Sequence, residues 1–322
     1  MNTVYFVIPC YNEEEVLPET VKRLTDKLER LIADGKANEH SRMLFVDDGS
    51  KDDTWDLIEG YTQENPYAAG LKLSRNRGHQ NALLAGLMTA KEHCDCAISL
   101  DADLQDDIEV IDQFIDKYND GCEVVYGVRS SRKKDTAFKR GTAQSYYKLM
   151  KTLGVDIVYN HADYRLMGKR ALDALAEYKE VNLFLRGIVP LIGFRTDYVY
   201  YERAERFAGE SKYPLKKMLK FAIDGITSFS VKPLKLISNL GIIICALSVV
   251  GLIYTLISWL LGSSVAGWAS IMCSIWFLGG LQMLCIGIVG TYVGKIYAEV
   301  KQRPRFIIDK LLLNQKEDDK TD

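Results

Sequence analysis

The 322-residue sequence carries almost no net charge, with 41 Lys and Arg against 43 Asp and Glu and a balance of −2 at pH 7. A chain without a basic excess is not a general polyanion binder, and nucleic acid is not expected as a partner. Disorder is excluded as well, because 48% apolar residues bury enough surface to offset the entropy of ordering. Seven cysteines (Cys10, Cys94, Cys96, Cys122, Cys245, Cys273 and Cys285) form an odd set with no CxxC pair and no histidine at zinc spacing. They exclude a disulfide framework and read as reduced, mostly buried thiols. No Walker loop and no GxGxxG is present, so phosphate has to be managed by a metal ion and basic side chains. The first residues lack a basic n-region and an apolar h-region, and no secretory signal is expected.

On averages alone this is a soluble protein of one large domain or two moderate ones. One further absence overturns that view. From Leu236 to Gly294, 59 consecutive residues include no Asp, Glu, Lys or Arg. Two segments inside it, about 237–261 and 271–293, each exceed the ~20 apolar residues a helix needs to cross a bilayer core. A turn-like connector, Gly262 to Ala269, joins them and places Trp268 where an interfacial aromatic would sit. A pair of buried core helices is the alternative, disfavoured by the length and charge depletion. Lys212, Lys216, Lys217, Lys220, Lys232 and Lys235 precede the first segment, and Lys295, Lys301, Arg303 and Arg305 follow the second. By the positive-inside rule both ends of this hairpin face the cytoplasm, giving a multi-pass protein of the cell membrane with a cytoplasmic N-terminal domain. Between them, Leu215, Met218, Leu219, Ala222, Ile223, Ile226 and Phe229 recur at helical spacing. They predict an amphipathic helix, either in the membrane interface or packed on the domain. The expected organisation is a cytoplasmic domain over 1–212, the interface helix over 213–235, the hairpin over 236–294, and a cytoplasmic segment over 295–322 whose tail from Gln315 is disordered.

The first ~210 residues alternate short apolar runs with longer helical patterns, the mark of an α/β domain with a mainly parallel sheet covered on both faces. Strands are expected at Val4–Ile8, Met43–Val46, Ala69–Leu73, Cys96–Leu100 and Glu123–Val128, and helices at Glu14–Ala33, Thr54–Gln63, Gln80–His93 and Ile108–Asn119. Ligands of such sheets bind at the carboxyl ends of the strands. Those ends read Pro9-Cys-Tyr-Asn-Glu13, Asp47-Asp-Gly-Ser50, Ser74-Arg-Asn-Arg-Gly78, Asp101-Ala-Asp-Leu-Gln-Asp106 and Arg129 with Arg132.

Asp101 and Asp103 on a tight turn, with Gln105 two residues on, supply the oxygen donors a hard divalent cation prefers. Taken alone the pattern is weak, because Asp-x-Asp often only caps the next helix. Of Asp47 and Asp48, one is expected to cap or turn into the helix near Thr54, and the other is placed to accept hydrogen bonds from a nucleobase or ribose. Tyr11 suits stacking on a base or simple packing. His79 has no second His or Cys nearby and is not expected to bind metal.

Together, Val7-Ile-Pro-Cys-Tyr-Asn-Glu13, Val46-Asp-Asp-Gly-Ser50, Ser74-Arg-Asn-Arg-Gly-His-Gln-Asn81, Asp101-Ala-Asp-Leu-Gln-Asp106, Gly127-Val-Arg129 and Asp163-Tyr-Arg-Leu166 resemble the family 2 glycosyltransferases of GT-A fold. With the uncharged hairpin, the chain is most similar to the polyprenyl-phosphate glycosyltransferases, which include dolichyl-phosphate mannose synthases and bacterial bactoprenol glucosyltransferases. The resemblance implies a Rossmann-like mixed sheet and an inverting transfer of a hexose, glucose first and N-acetylglucosamine second, from a UDP-sugar to undecaprenyl phosphate. The product would be a β-linked lipid-phosphate sugar for cell-wall or polysaccharide glycosylation. It also implies membrane-lipid contacts and a homo-oligomer such as a tetramer, for which Gly279, Gly280, Gly287 and Gly290 would permit close helix contacts.

Residue by residue, the resemblance places Pro9, Tyr11, Glu13, Asp48, Arg77 and Asp101 around the nucleotide-sugar. Asp103 and Gln105 would ligate Mg²⁺ or Mn²⁺, and Asp101, Asp103 and Asp163 would form the catalytic set. Arg129, Arg140, Arg203, Arg206, Ser211 and Lys212 would grip the acceptor phosphate. Because a phosphate acceptor is already anionic, Asp163 is expected to orient rather than abstract a proton, with Arg165 as its pair. The segment Asn160-His-Ala-Asp-Tyr-Arg-Leu departs from the mannose synthase pattern, which weakens transfer of mannose specificity. A processive polysaccharide synthase would carry Gln-x-x-Arg-Trp and more spans, and neither is present. A non-catalytic nucleotide-binding membrane scaffold is the rival from another class, and the intact Asp101, Asp103 and Gln105 set argues against it.

Overall fold

The computed structural model describes residues 1–130, 161–202, 232–260 and 267–313. These fall into two compact units, one holding the described residues up to 202 together with 303–313, the other 232–260 and 267–302.

The first unit is an α/β domain on an eight-stranded sheet. Its strands are β1 (Val4–Cys10), β2 (Arg42–Asp47), β3 (Ala68–Leu73), β4 (Cys96–Ser99), β5 (Val124–Arg129), β6 (His161–Gly168), β7 (Thr196–Tyr201) and β8 (Ile308–Leu312). Their spatial order is β7-β5-β6-β4-β1-β2-β3-β8. β1 lies between β2 and β4, parallel to both, and all seven of its residues are buried. A strand covered on both faces needs an unbroken apolar run, and this is why β1 to β4 were visible in the sequence. The sheet is mixed: β6 runs antiparallel to β4 and β5, and β8 antiparallel to β3. The other six strands share one direction, so the mainly parallel expectation holds, and the antiparallel β6 governs the site described below.

The helices of this unit are α1 (Leu17–Ala33), α2 (Thr54–Glu64), α3 (His79–Ala90), α4 (Ile111–Asn119), α5 (Lys169–Ala176) and α6 (Leu185–Leu191). In α1, Leu17, Val21, Leu24, Leu28 and Leu31 are buried at intervals of three and four, so one stripe meets the sheet. The helix begins at Leu17 rather than Glu14, with Pro18 in its first turn, where the missing N–H is an orphan in any case. Ahead of α4, Asp107 caps a short 3₁₀ turn by accepting from Glu109 N at 2.9 Å.

α3 packs most closely on the sheet. A Cβ at Gly86 would lie 2.4 Å from Val7 Cγ1 and 2.7 Å from Val46 Cγ2, so only glycine lets the helix reach β1 and β2. That approach sets the first residue of α3, His79, over the carboxyl ends of the strands. On the far edge, Ser74 N donates to Ile307 O at 3.0 Å, and Arg305 Nη1 donates to Tyr178 O at 2.8 Å, fastening the segment that leads into β8.

The second unit contains α7 (Lys232–Leu260) and α8 (Trp268–Lys301), which contact each other. Within α8, Phe277–Lys301 is long and apolar enough to cross a bilayer, the one such stretch among the described residues. Trp268 starts α8 instead of sitting in a connector. The expected amphipathic helix, apart from its last residues Lys232 to Lys235 at the start of α7, and the tail from Gln315 lie outside the described residues.

Candidate active site

The loops that follow β1, β2 and β3 are sewn together by their own polar groups. After β1, Asn12 adopts φ +53°, its N–H donates to Ser50 Oγ at 3.0 Å, and Glu13 N donates to Thr54 Oγ1 at 2.9 Å. Pro9 lies buried within β1 opposite Val46. Asp47 forms the turn by accepting from Ser50 N at 3.1 Å. Neither Asp47 nor Asp48 caps α2, whose N-cap position is Asp53; Asp52, one residue earlier, accepts from Thr54 N at 3.2 Å.

Asp48 instead organises the neighbouring loop. Its two carboxylate oxygens accept from Arg77 N at 2.6 Å and Gly78 N at 2.8 Å. Burial raises its pKa, against those two bonds, which pull it down. Gly49 at φ +68° makes the contact possible, since a Cβ there would stand 2.6 Å from Asn76 N. Arg77 is thereby fixed through its backbone at the sheet's carboxyl edge.

After β4, Asp101 is one-third exposed and Asp103 is buried. Leu104 takes φ +56°, and Gln105 N donates back to Asp103 Oδ1 at 3.2 Å, closing a tight turn. Among the described residues no group of three or more His, Cys, Asp or Glu is arranged to hold a metal ion. A closed protein cage is therefore not what this loop provides. Its donors are all hard oxygens, the chemistry of a divalent cation that completes its shell with substrate phosphate and water.

β6 delivers what a parallel strand could not. Being antiparallel to β4, it pairs Arg165 with Ser99, and its first residues lie beside the loop that leaves β4. Ser99 Oγ donates to the backbone carbonyl of Asp163. The Asp163 carboxylate then meets two guanidinium groups and an imidazole. Arg165 Nη2 donates to Oδ1 at 2.6 Å, as the sequence anticipated. Arg186, from α6, donates through Nε to Oδ1 at 3.2 Å and through Nη2 to Oδ2 at 3.0 Å. His79 Nε2 stands 3.6 Å from Asp163 Oδ2 and 3.6 Å from Asp101 Oδ1, bridging two acidic residues from separate strands. Gln80 Oε1 accepts from Leu185 N at 2.8 Å and so holds the start of α6 against α3.

The electrostatics follow. Burial works against the Asp163 carboxylate, but Arg186, His79 and Arg165 outweigh it and hold its pKa well below the ordinary carboxylate range. For His79 burial likewise disfavours the charged form, and the nearby carboxylates of Asp163 and Asp101 still raise its pKa. Arg186 and the bridging position of His79 were missed from sequence. Arg186 belongs to no motif, and His79 was weighed only as a metal ligand.

At the end of β5, Arg129 lies beside Tyr201, its register partner on β7. Tyr201 Oη donates to Asp106 Oδ1 at 2.6 Å, and Arg129 Nε donates to Tyr201 Oη at 3.5 Å. Asp106 is buried, and burial together with the Asp101 charge pushes its carboxyl up to about 6, while Tyr201 and Arg129 pull the other way. Arg140, Arg203, Arg206, Ser211 and Lys212 lie outside the described residues. Cys10, Cys94, Cys96, Cys122 and Cys285 are free thiols, as expected.

Comparison with known proteins shows the family. The model of Glycosyl transferase family 2 matches residues 5–176. A protein of Bacillus subtilis (strain 168) named uncharacterized glycosyltransferase YkoT is 58% identical over 309 residues, covering 96% of this chain and 92% of its own. The SfII prophage-derived bactoprenol glucosyl transferase of Shigella flexneri is 39% identical over 309 residues, covering 95% and 97%. A solved structure of glucosyl-3-phosphoglycerate synthase from Mycobacterium tuberculosis overlays with a TM-score of 0.44 at 16% identity, over 70% of this chain and 76% of that one, too loosely to say anything of ligands.

Proposed function

This chain belongs to glycosyl transferase family 2, and we propose that it moves a hexose from a UDP-sugar to undecaprenyl phosphate. The carrying observation is that one edge of one sheet brings together an acidic loop, Asp101 to Asp106, and Arg129, with the clamped Asp163 beside Asp101. Likeness to a bactoprenol glucosyl transferase over nearly the full length of both chains supports the lipid acceptor and makes glucose the first choice of sugar, N-acetylglucosamine the second.

In this proposal Pro9, Tyr11, Glu13, Asp48, Arg77 and Asp101 surround the nucleotide-sugar. Asp103 and Gln105 hold Mg²⁺ or Mn²⁺, which when bound neutralises charge on the departing diphosphate. Arg129 grips the acceptor phosphate with Arg140, Arg203, Arg206, Ser211 and Lys212. A phosphate monoester has its second pKa near ~6, so the nucleophile is ionised at neutral pH and needs orientation, not deprotonation. Asp163 fits that requirement. A carboxylate held ionised by two arginines and a histidine is a poor base and a rigid fixture. In-line attack from the lipid phosphate inverts the anomeric centre to a β-linked product.

α7 and α8 form the two spans of a membrane hairpin in the same proposal, supported by the 59-residue uncharged stretch and by the Phe277–Lys301 segment. The lysine-rich flanks support a sheet domain on the cytoplasmic face. Membranes containing the protein, incubated with labelled UDP-glucose or UDP-N-acetylglucosamine and a short polyprenyl phosphate, test the proposal. Labelled lipid with UDP-glucose is expected. Labelled lipid with neither donor, from folded protein that still binds UDP, would turn the assignment toward a nucleotide-binding scaffold.

A further inference from the structure

We propose that Tyr201 is a positioning residue that ties the donor loop to the acceptor-phosphate arginine through its hydroxyl. This rests on the acceptor assignment of Arg129 made above.

Tyr201 ends β7 and is 2% exposed. Its ring needs no hydroxyl to stay in place. Tyr164 packs against it edge-on with centroids 5.3 Å apart, and Tyr164 is itself anchored by donating to Asp107 O at 3.0 Å. Below the ring, backbone pairing fixes the strand end, with Ser130 N donating to Tyr201 O at 2.9 Å. The hydroxyl is thus the polar part of a side chain that packing already holds.

That hydroxyl has two partners of opposite charge. It donates to Asp106 Oδ1 at 2.6 Å, a short charge-assisted contact, and accepts from Arg129 Nε at 3.5 Å, near the outer limit of a hydrogen bond. Arg129 Nη2 stands 3.9 Å from the same Asp106 oxygen. A phenol can donate once and still accept, so Tyr201 is able to relay the position of Asp106 to Arg129. Asp106 closes the loop that carries Asp103 and Gln105, and Tyr201 is followed directly in sequence by Glu202 and Arg203, the start of the basic acceptor segment. One hydroxyl therefore joins the donor loop, the arginine at the end of β5 and the strand that feeds the basic segment. A short bond on the acidic side and a long one on the basic side lets Arg129 be aimed without being consumed, and its side chain keeps 24% exposure.

Binding by the full-length protein in detergent micelles tests this, with farnesyl phosphate as the acceptor probe and UDP with Mn²⁺ as the donor probe. Tyr201→Phe keeps the ring and removes the relay. It is expected to weaken farnesyl phosphate about tenfold, the size of a hydrogen bond to a charged group, while UDP binding stays within about twofold of wild type. Arg129→Lys and the double variant complete a cycle. If Tyr201 acts through Arg129, the double variant binds farnesyl phosphate no more weakly than Arg129→Lys alone. Tyr201→Phe binding farnesyl phosphate like wild type, losing UDP to the same degree, or multiplying with Arg129→Lys would each overturn the proposal. Wild-type protein that fails to bind farnesyl phosphate removes the acceptor assignment and this proposal with it. Wild-type protein that binds it without response to Tyr201→Phe removes this proposal alone.

Discussion

Arg186 grips Asp163 with two nitrogens, Nε at 3.2 Å from Oδ1 and Nη2 at 3.0 Å from Oδ2, while Arg165 reaches the same Oδ1 from the buried side. A carboxylate in that grip stays ionised across the neutral range and far into acid. Its function is to hold position and charge. The acid limb of kcat/KM should carry the second ionisation of the acceptor phosphate, about 6, and that of Asp106, also pushed up to about 6, with no separate ionisation from Asp163. Arg186→Lys loses the planar two-point grip and should lower kcat about tenfold without moving that limb. A limb that shifts with the Asp163 surroundings would mean that Asp163 acts as a base.

Stability against pH carries the signature of the same cluster. The folded pKa of Asp163 is depressed, so its contribution is complete above the ordinary 3.8 and is lost as pH falls toward the depressed value. The folded pKa of His79 is raised, so its contribution is complete below the ordinary 6.5 and is lost as pH rises through the folded value. Thermal melts of wild type and His79→Gln should differ most at or below pH 6.5 and converge above the His79 transition. A difference that grows with pH would contradict the assigned ion pairs.

Asp163→Asn should be markedly destabilised, because Arg165 is then buried without its anion. Breaking a buried pair in this way costs about 3–5 kcal/mol. Chemical denaturation measures it, and a loss under about 1 kcal/mol would show that Arg165 finds another partner.

Two neighbouring glycines should respond differently to alanine. Gly49 combines φ +68° with a Cβ position 2.6 Å from Asn76 N and 2.7 Å from Arg75 C, a collision with backbone that cannot rotate away. Gly78 has φ +87° and open space around its Cβ. Gly78→Ala should cost about 1–3 kcal/mol of conformational strain, and Gly49→Ala should cost more and also weaken UDP binding, since it displaces the loop held by Asp48. Equal costs in denaturation would contradict the close packing of these two loops.

Chelation should abolish transfer, with recovery on adding Mn²⁺ or Mg²⁺. Asp103→Asn should raise the metal concentration needed for UDP binding by about tenfold or more, read by calorimetry without reference to turnover. Metal-independent UDP binding in wild type would remove Asp103 and Gln105 from that role.

Much of this was legible in the chain because doubly covered strands must be apolar throughout and the polar residues beside them then stand out. β1 to β5 and the motifs at their ends follow from that rule. β6 escaped it: Asp163 and Arg165 sit inside the strand as a paired charge, so the segment does not read as apolar. β7 does alternate, with Val199 and Tyr201 buried and Tyr198 and Tyr200 exposed, but Asp197 and the run of tyrosines hid the period. β8 is a five-residue edge strand far along the chain, and nothing local marks its pairing with β3. What escaped the sequence is therefore the antiparallel strands β6 and β8 and the parallel edge strand β7, and with them Arg186, the bridging place of His79 and the link from Tyr201 to Asp106. Net charge was the poorest guide. A balance of −2 hid an uncharged stretch of 59 residues and an edge where acids and arginines face each other.

³¹P NMR of purified protein with UDP-glucose, Mg²⁺ and farnesyl phosphate tests the proposed transfer most directly. The acceptor's phosphomonoester signal should be replaced by a phosphodiester signal while UDP accumulates in equal amount. UDP-glucose left unconsumed, or split to UDP and free glucose with the farnesyl phosphate signal unchanged, would contradict it.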